Sequence, residues 1–481
     1  LARIGAVMKD ASQRVAWIEK PEASPSRTSA AASTAAQQPQ LSGSRSLADL
    51  WGPSVGLLFA EYLQDISERT ILFWDALRQR ADNMLEHERA GLPPLLDFKF
   101  EMILDARRFE CAANYALLRI IEVGDDCWED CVDPAKPPVV IVDPRAGHGP
   151  GIGGFPEPEH GQTLADVLHA LRRFVVEVSR RHPGKPPILY GNCQAGWALT
   201  PLSADCRGLT GPVVLNGSPL SYWAGEAGTN PMRVSGALSG GAWLAHLMAD
   251  LGDGRFDGAW LAQNFESLVP EKAIWEKYAK LFHQIDDERE RFLEFERWWN
   301  GFYFLSREEI LAIVENLFIG NKLEQGRLWI CDGCVADLRT IANPVVIFAS
   351  YGDDITPPHQ ALGWIPIVFR DTADLKTCGQ RIVYMTNPHV GHLGIFVSAK
   401  VARLEHRAIL ESLDEIEALE PGLYEMKVDN PSGDPDCHKP HFIVRFEPRQ
   451  VEDLRTPADH AAFERVRRVS EFNDALYSSI V

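Results

Sequence analysis

Five short apolar runs set the rhythm of the chain: PPVVIVD (137–143), PPILYGNC (186–193), PVVLNG (212–217), PVVIFAS (344–350) and RIVYMT (381–386). Each is nearly continuous in apolar residues rather than alternating. Such runs suit strands of a parallel sheet covered on both faces. Between the first two lies a helical pattern, with Leu164, Val167, Leu168, Leu171, Phe174, Val175 and Val178 on one face. Alternating strands and helices predict an α/β fold. Residues 221–330 interrupt the rhythm with a helix-rich, aromatic stretch that includes Trp223, Trp243, Trp260, Trp275, Trp298 and Trp299. An insertion over the C-terminal edge of the sheet fits that position, where α/β proteins bind their ligands. Upstream, Leu57, Phe59, Tyr62, Leu63, Ile66, Ile71, Leu72, Trp74 and Leu77 predict a long amphipathic helix within 47–90. Gly91 and Pro93-Pro94 stop it. Short extended pieces, and a helix or strand around YALLRI, follow over 96–123. Downstream, residues 425–448 read as two strands and 457–475 as a helix.

Composition changes this picture little but excludes some functions. The 481 residues hold 48 Lys+Arg against 67 Asp+Glu, a formal charge of −19. A general nucleic-acid or anionic-membrane binder needs the opposite sign. No apolar run approaches the ~18 residues of a spanning helix. Residues 1–20 have no secretory apolar core, and a natural start upstream of Leu1 is expected. Nine cysteines, an odd number, fit free thiols in a reducing cytoplasm. Cys331-x-x-Cys334 lacks the second half of a zinc site, and Cys127 and Cys131 lack a ligand partner. Neither pair is expected to hold zinc.

The chemistry centres on Gly191-Asn192-Cys193-Gln194-Ala195-Gly196, directly after an apolar strand and before a helix. Small residues flank a central nucleophile because the strand-to-helix turn is tight, and the apex side chain stands above the sheet. A cysteine there is suited to accepting an acyl group from a thioester. The order nucleophile, acid, histidine is completed after two later strands, by Asp353 or Asp354 and by His392. His392 is preferred over His389 because Gly391 and Gly394 give it room. An oxyanion hole would use the Gln194 N–H and a second donor from Arg145-Ala146-Gly147-His148-Gly149, with Gly147 the candidate. That loop reads equally as a plain glycine-rich turn. Trp298 and Trp299 are candidates for the substrate pocket or the core of the insertion.

These motifs resemble the poly(3-hydroxyalkanoate) synthases and the synthase-like proteins related to them, over about residues 50–425. Gly191–Gly196 is similar to the family's Gly-x-Cys-x-Gly-Gly box, with Ala195 for one glycine. Asp353-Asp354-Ile355-Thr356-Pro357 is similar to Asp-His-Ile-x-Pro, which favours Asp353 as the acid, and Gly391-His392-Leu393 is similar to Gly-His-Ile. The resemblance implies an α/β-hydrolase-like fold and a Cys193–His392–Asp353 triad. It implies a 3-hydroxyacyl-CoA substrate, a polyester granule as partner, a homodimer, and no metal or redox cofactor. The expected organisation is then a low-complexity disordered segment (1–46), an N-terminal helical region (47–135) and a hydrolase-like core in two parts (136–220 and 331–420). A helical cap (221–330) and a C-terminal extension (421–481) complete it. A thioesterase or polyester hydrolase on the same triad is the alternative, and a non-catalytic granule-associated scaffold is the third reading. The chain departs from the family pattern in four places. Asp354 stands for a histidine, Pro201 is expected to kink or shorten the helix after the elbow, and the tail beyond about 425 has no counterpart. Fourth, Gly154 leads almost at once into FPEPEHGQTLADV, so one strand–helix unit is missing from the expected core.

Overall fold

The computed structural model describes residues 53–96, 98–123, 132–149, 152–225, 231–331, 334–429, 443–455 and 460–481. The low-complexity segment at 1–46, Cys127 and Cys131 lie outside the described residues.

An antiparallel hairpin comes first, β1 (Phe98–Asp105) and β2 (Ala116–Val123). The main sheet is built from β3 (Val139–Val142), β4 (Ile188–Asn192), β5 (Val213–Asn216), β6 (Val345–Ser350), β7 (Arg381–Asn387), β8 (Gly422–Asp429) and β9 (Ile443–Arg449). Its order is β9-β8-β7-β6-β5-β4-β3, parallel throughout except that β9 runs antiparallel to β8. The apolar runs are continuous because both faces are covered. Leu189, Val213, Leu215, Val345 and Ile347 enter one core cluster, whereas Ile188, Tyr190, Val214, Val346 and Phe348 enter the other. With the elbow described below, this sheet gives an α/β-hydrolase-like fold.

Helix α1 (Pro53–Arg89) occupies the predicted N-terminal helical stretch. Only its second half is packed: Leu72, Phe73, Ala76 and Leu77 meet Leu281, Ile285 and Phe292. Leu57, Leu58, Phe59 and Tyr62 remain exposed. Helix α2 (Leu164–Arg181) begins at a capping box between Thr163 and Asp166. Helix α3 (Ala195–Asp205) follows the elbow strand and runs through Pro201 for a further four residues. The helix is therefore not stopped at Pro201, contrary to the expectation that the proline would shorten it.

Between β5 and β6 the described residues form a helical insertion. It includes α4 (Trp243–Leu251), α5 (Ile285–Trp299) and α6 (Arg307–Ile313), with a short ribbon pairing Arg255–Asp257 to Phe304–Ser306. The tail supplies β8, β9 and a last helix, α8 (His460–Ile480). Phe463 of α8 stacks on Trp223, and Ser470 accepts the Ala242 N–H. Between β3 and α2 the chain forms no strand and no helix among the described residues. The sheet accordingly ends at β3, and the β1–β2 hairpin forms a separate sheet.

Candidate active site

Cys193 stands at the end of β4 with φ +50°, a left-handed conformation that a side chain at the apex of a strained turn adopts. Its N–H bonds the Asn216 carbonyl at 2.9 Å, and its carbonyl accepts from Gly196 at 3.2 Å. The flanking glycines have no space for a side chain. A Cβ on Gly191 would lie 2.6 Å from Leu199 Cδ1, and one on Gly196 would lie 2.4 Å from Ser218 Cβ. Small residues are thus a steric requirement of this elbow.

Two further strand ends bring in the remaining groups. Asp353 follows β6 and is buried. Its Oδ1 accepts the N–H groups of Ile355 (2.8 Å) and Thr356 (2.7 Å), which fixes the carboxylate in its turn. Its Oδ2 lies 2.7 Å from His392 Nδ1, and His392 Nε2 lies 3.2 Å from Cys193 Sγ. His392 opens the short helix α7 (His392–Val397). Burial disfavours its charged form, yet the Asp353 carboxylate and Cys193 outweigh this and raise its pKa to about 10. The ring therefore holds its proton strongly between the carboxylate and the sulfur. The alternatives are separated in space: Asp354 is exposed with Lys272 as its nearest cation at 3.9 Å, and His389 is exposed.

The candidate oxyanion donors are placed differently. Gln194 is buried, caps α3, and its N–H has no acceptor among the described residues. Gly147 is spent on holding the loop. Its carbonyl accepts the Tyr303 N–H at 3.0 Å, and a Cβ there would meet the Gly258 carbonyl at 2.4 Å. Ala146 and His148, not Gly147, line the cavity that Cys193 opens into. The Gly147 φ of +91° serves close backbone packing against Gly258. The loop is further tied down by a buried cluster. Arg145 pairs with Glu309 at 2.5 Å, and the Tyr115 hydroxyl donates to Asp143 at 3.2 Å. Burial raises the Asp143 pKa to about 6 despite the Arg145 guanidinium.

The cavity has a volume of about 1070 Å³. Around Cys193 and His392 it is lined by His148, Phe295, Trp298, Trp299 and Leu393. Trp298 and Trp299 therefore serve both the cap core and the cavity wall. Trp299 Nε1 donates to Glu266 at 2.8 Å, and both rings flank His148 at centroid distances of 5.2 and 5.1 Å. Burial lowers the His148 pKa to about 4, so its imidazole is neutral at pH 7. Tyr222 is a second neighbour that the sequence reading did not single out. It is buried close enough to Cys193 to feel its charge, and burial with that charge holds its phenol protonated. Its signal was its place just past β5, at the sheet edge where ligand sites gather. Among the described residues one further cluster, His246, Glu315 and Asp474, has metal-ligand composition. Arg307 Nη2 lies 2.9 Å from His246 Nδ1, and His246 Nε2 lies 2.5 Å from Asp474 Oδ1 without a hydrogen bond between them. The cluster lies where α8 packs on the cap. No helix among the described residues is long and apolar enough to cross a membrane.

Comparison with known proteins gives a family without an assigned activity. Residues 65–157 and 155–481 match the family described as "Protein of unknown function (DUF3141)", in two segments that meet at 155–157. A Rhizobium meliloti protein described as "Uncharacterized protein in ackA 5'region" is 44% identical over 450 residues, covering 86% of this chain and 61% of its own length. This chain thus spans about three fifths of that relative. Since 86% of 481 is about 414, roughly 36 of the 450 aligned positions face no residue here. Among solved structures, a Paleococcus ferrophilus monoacylglycerol lipase is 16% identical with a TM-score of 0.31, over 56% of this chain and 80% of its own. Cfl2 from Burkholderia cenocepacia is 12% identical with a TM-score of 0.35, over 67% and 97%. The fold assignment rests on the sheet order and the elbow.

Proposed function

Since the chain belongs to the DUF3141 family, its activity has to be read from its own residues, and we propose a thioester-dependent acyltransferase with Cys193 as nucleophile. The observation that carries this reading is the continuous relay Asp353–His392–Cys193, at 2.7 and 3.2 Å, opening into an apolar cavity. His392 Nε2 takes the proton from Cys193 Sγ, and Asp353 holds the ring by its Nδ1–H. The sulfur attacks the thioester carbonyl carbon. A new S–C bond forms, the old one breaks, and the leaving thiol takes the proton back from His392. An acceptor hydroxyl then gives its proton to His392, and its oxygen attacks the acyl-cysteine. Ester formation releases Cys193. The N–H of Gln194 is the oxyanion donor from the elbow, with the second supplied by the Ala146–His148 stretch.

The substrate proposed is a 3-hydroxyacyl-CoA, on the resemblance of the elbow, acid and histidine segments to poly(3-hydroxyalkanoate) synthases. The 3-hydroxyl of one unit is then the acceptor for the next, and the product is a polyester. A granule surface and a homodimer follow from the same resemblance. The test is to supply 3-hydroxybutyryl-CoA to the purified protein and to follow free CoA and the acyl product together. Oligomer with CoA is the expected result. Free 3-hydroxybutyrate with CoA would replace the reading by a thioesterase. No CoA release from folded protein would leave the non-catalytic scaffold.

A further inference from the structure

The cavity that begins at Cys193 does not stop near it. It continues along the whole outer edge of β3, past Val139, Val140, Ile141 and Val142, to Pro137 and His182 at the opposite end of the sheet. Its shape is informative. A cavity lying on one face of a strand touches alternate residues, because side chains alternate. This one is lined by consecutive residues, 137–144 on one side and 115–120 of the β2 region on the other. It therefore faces strand edges and lies in the layer of the sheet. The helical layers close it above and below. Leu171, Phe174 and Val178 of α2 form one wall, and Leu410, Leu413 and Glu417 lie on the other. The void is a slot between β2 and β3, between two layers of helix.

The backbone of β3 states what the slot lacks. The Ile188 N–H bonds the Pro138 carbonyl at 2.9 Å. In a parallel ladder the bonding side alternates along the strand, so the N–H and C=O groups of Val139 and Ile141 face the other way, into the slot. Among the described residues β3 is the last strand of its sheet and has no partner there. A fatty acyl chain could fill the apolar volume but would leave these groups without partners, which is costly away from water. A peptide strand would satisfy them. Val140 packs into one core cluster while Val139 and Ile141 pack into the other, so a strand beside them must be apolar on both faces.

We propose that the β3 edge is a docking site for one apolar β-strand, parallel to β3 and about four residues long, of the kind carried by the strand–helix unit that this chain lacks after Gly154. Two observations name that occupant. The match to the family breaks into segments meeting at 155–157, and the Rhizobium meliloti relative has roughly 36 aligned positions without a counterpart here. A strand with its crossover helix needs about that much chain, ~30 residues or more. The inference concerns the sheet and stands whether or not Cys193 carries an acyl group.

The test is peptide complementation of the full chain. The probe is a synthetic peptide covering the stretch of the Rhizobium meliloti relative opposite the break in the family match at 155–157, with a scrambled peptide as control. Amide exchange at Val139 and Ile141 is expected to slow by roughly tenfold or more at saturation, with a rise in Tm, and the scrambled peptide is expected to do neither. Ile141→Pro removes a donor aimed into the slot while leaving the bonds to β4, and is expected to weaken peptide binding at least about tenfold. Unchanged exchange at saturating peptide would overturn the proposal. So would equal binding to Ile141→Pro, or binding of palmitate in the slot where the peptide fails, which would make the slot an acyl channel.

Discussion

The two sides of the elbow strand β4 are built to different standards. On one side β5, β6 and β7 follow in register, and Val213, Leu215, Val346, Phe348 and Val383 have no measurable exposure. On the other side stands β3 alone, with Val139, Val140 and Ile141 only half-buried and a void of about 1070 Å³ beyond them. Asp353 and His392 come from the complete side. The oxyanion loop comes from the incomplete one. It is held by other means: the Arg145–Glu309 ion pair and the bonds of Gly147 and Gly149 to the cap. A catalytic relay can thus be set by one half of a sheet while the loop facing it is anchored to the insertion.

The comparison can be broken most directly at its centre. Cys193→Ala should lower turnover on 3-hydroxybutyryl-CoA by on the order of 10,000-fold or more, with folding intact by circular dichroism. Activity retained in that variant would remove the complete side from the chemistry. Asp353→Asn should cost about 1,000-fold to 10,000-fold, because the imidazole loses its orienting acceptor. The same substitution should bring the His392 pKa down from about 10, read by NMR titration of the ring. An unchanged titration would mean that Asp353 does not govern the base.

Stability sharpens the contrast. Phe348→Ala, in the centre of β6, should cost about 3–5 kcal/mol by urea denaturation. Ile141→Ala should cost about 1 kcal/mol, since its side chain already borders a void and little packing is lost. Equal costs would contradict the picture of a loose edge. The pH dependence has a definite sign. His392 gains its proton affinity on folding, from 6.5 to about 10. Its contribution is complete below pH 6.5 and is lost as pH rises towards 10. The urea midpoint of the wild type should fall over that window more than that of Asp353→Asn.

Much of the fold was legible because its signals are local. β-branched runs marked five parallel strands, and glycines around Cys193 marked the elbow before any contact was known. The order Cys193, Asp353, His392 needed only strand ends and turns. The choice of Asp353 over Asp354 was carried by resemblance, and the structure adds its reason: the first carboxylate is held by the Ile355 and Thr356 amides. Features made by distant chain were not legible. Gly147 could not be separated from its neighbours because its contacts are with Gly258 and Tyr303, more than a hundred residues away. Tyr222 and His148 carry no motif of their own. The burial that keeps His148 neutral depends on its cavity walls, including Trp298 and Trp299 from the cap. The exposed first half of α1 was not separable from its packed half, because apolar residues recur along both.

The central claim is that Cys193 carries the acyl group, and intact-mass analysis during turnover of 3-hydroxybutyryl-CoA tests it most directly. The account predicts a mass increase of one acyl unit, mapped to the peptide containing Cys193 and absent from Cys193→Ala. Continued CoA release by folded protein with no adduct at Cys193, or an adduct that survives Cys193→Ala, would contradict it.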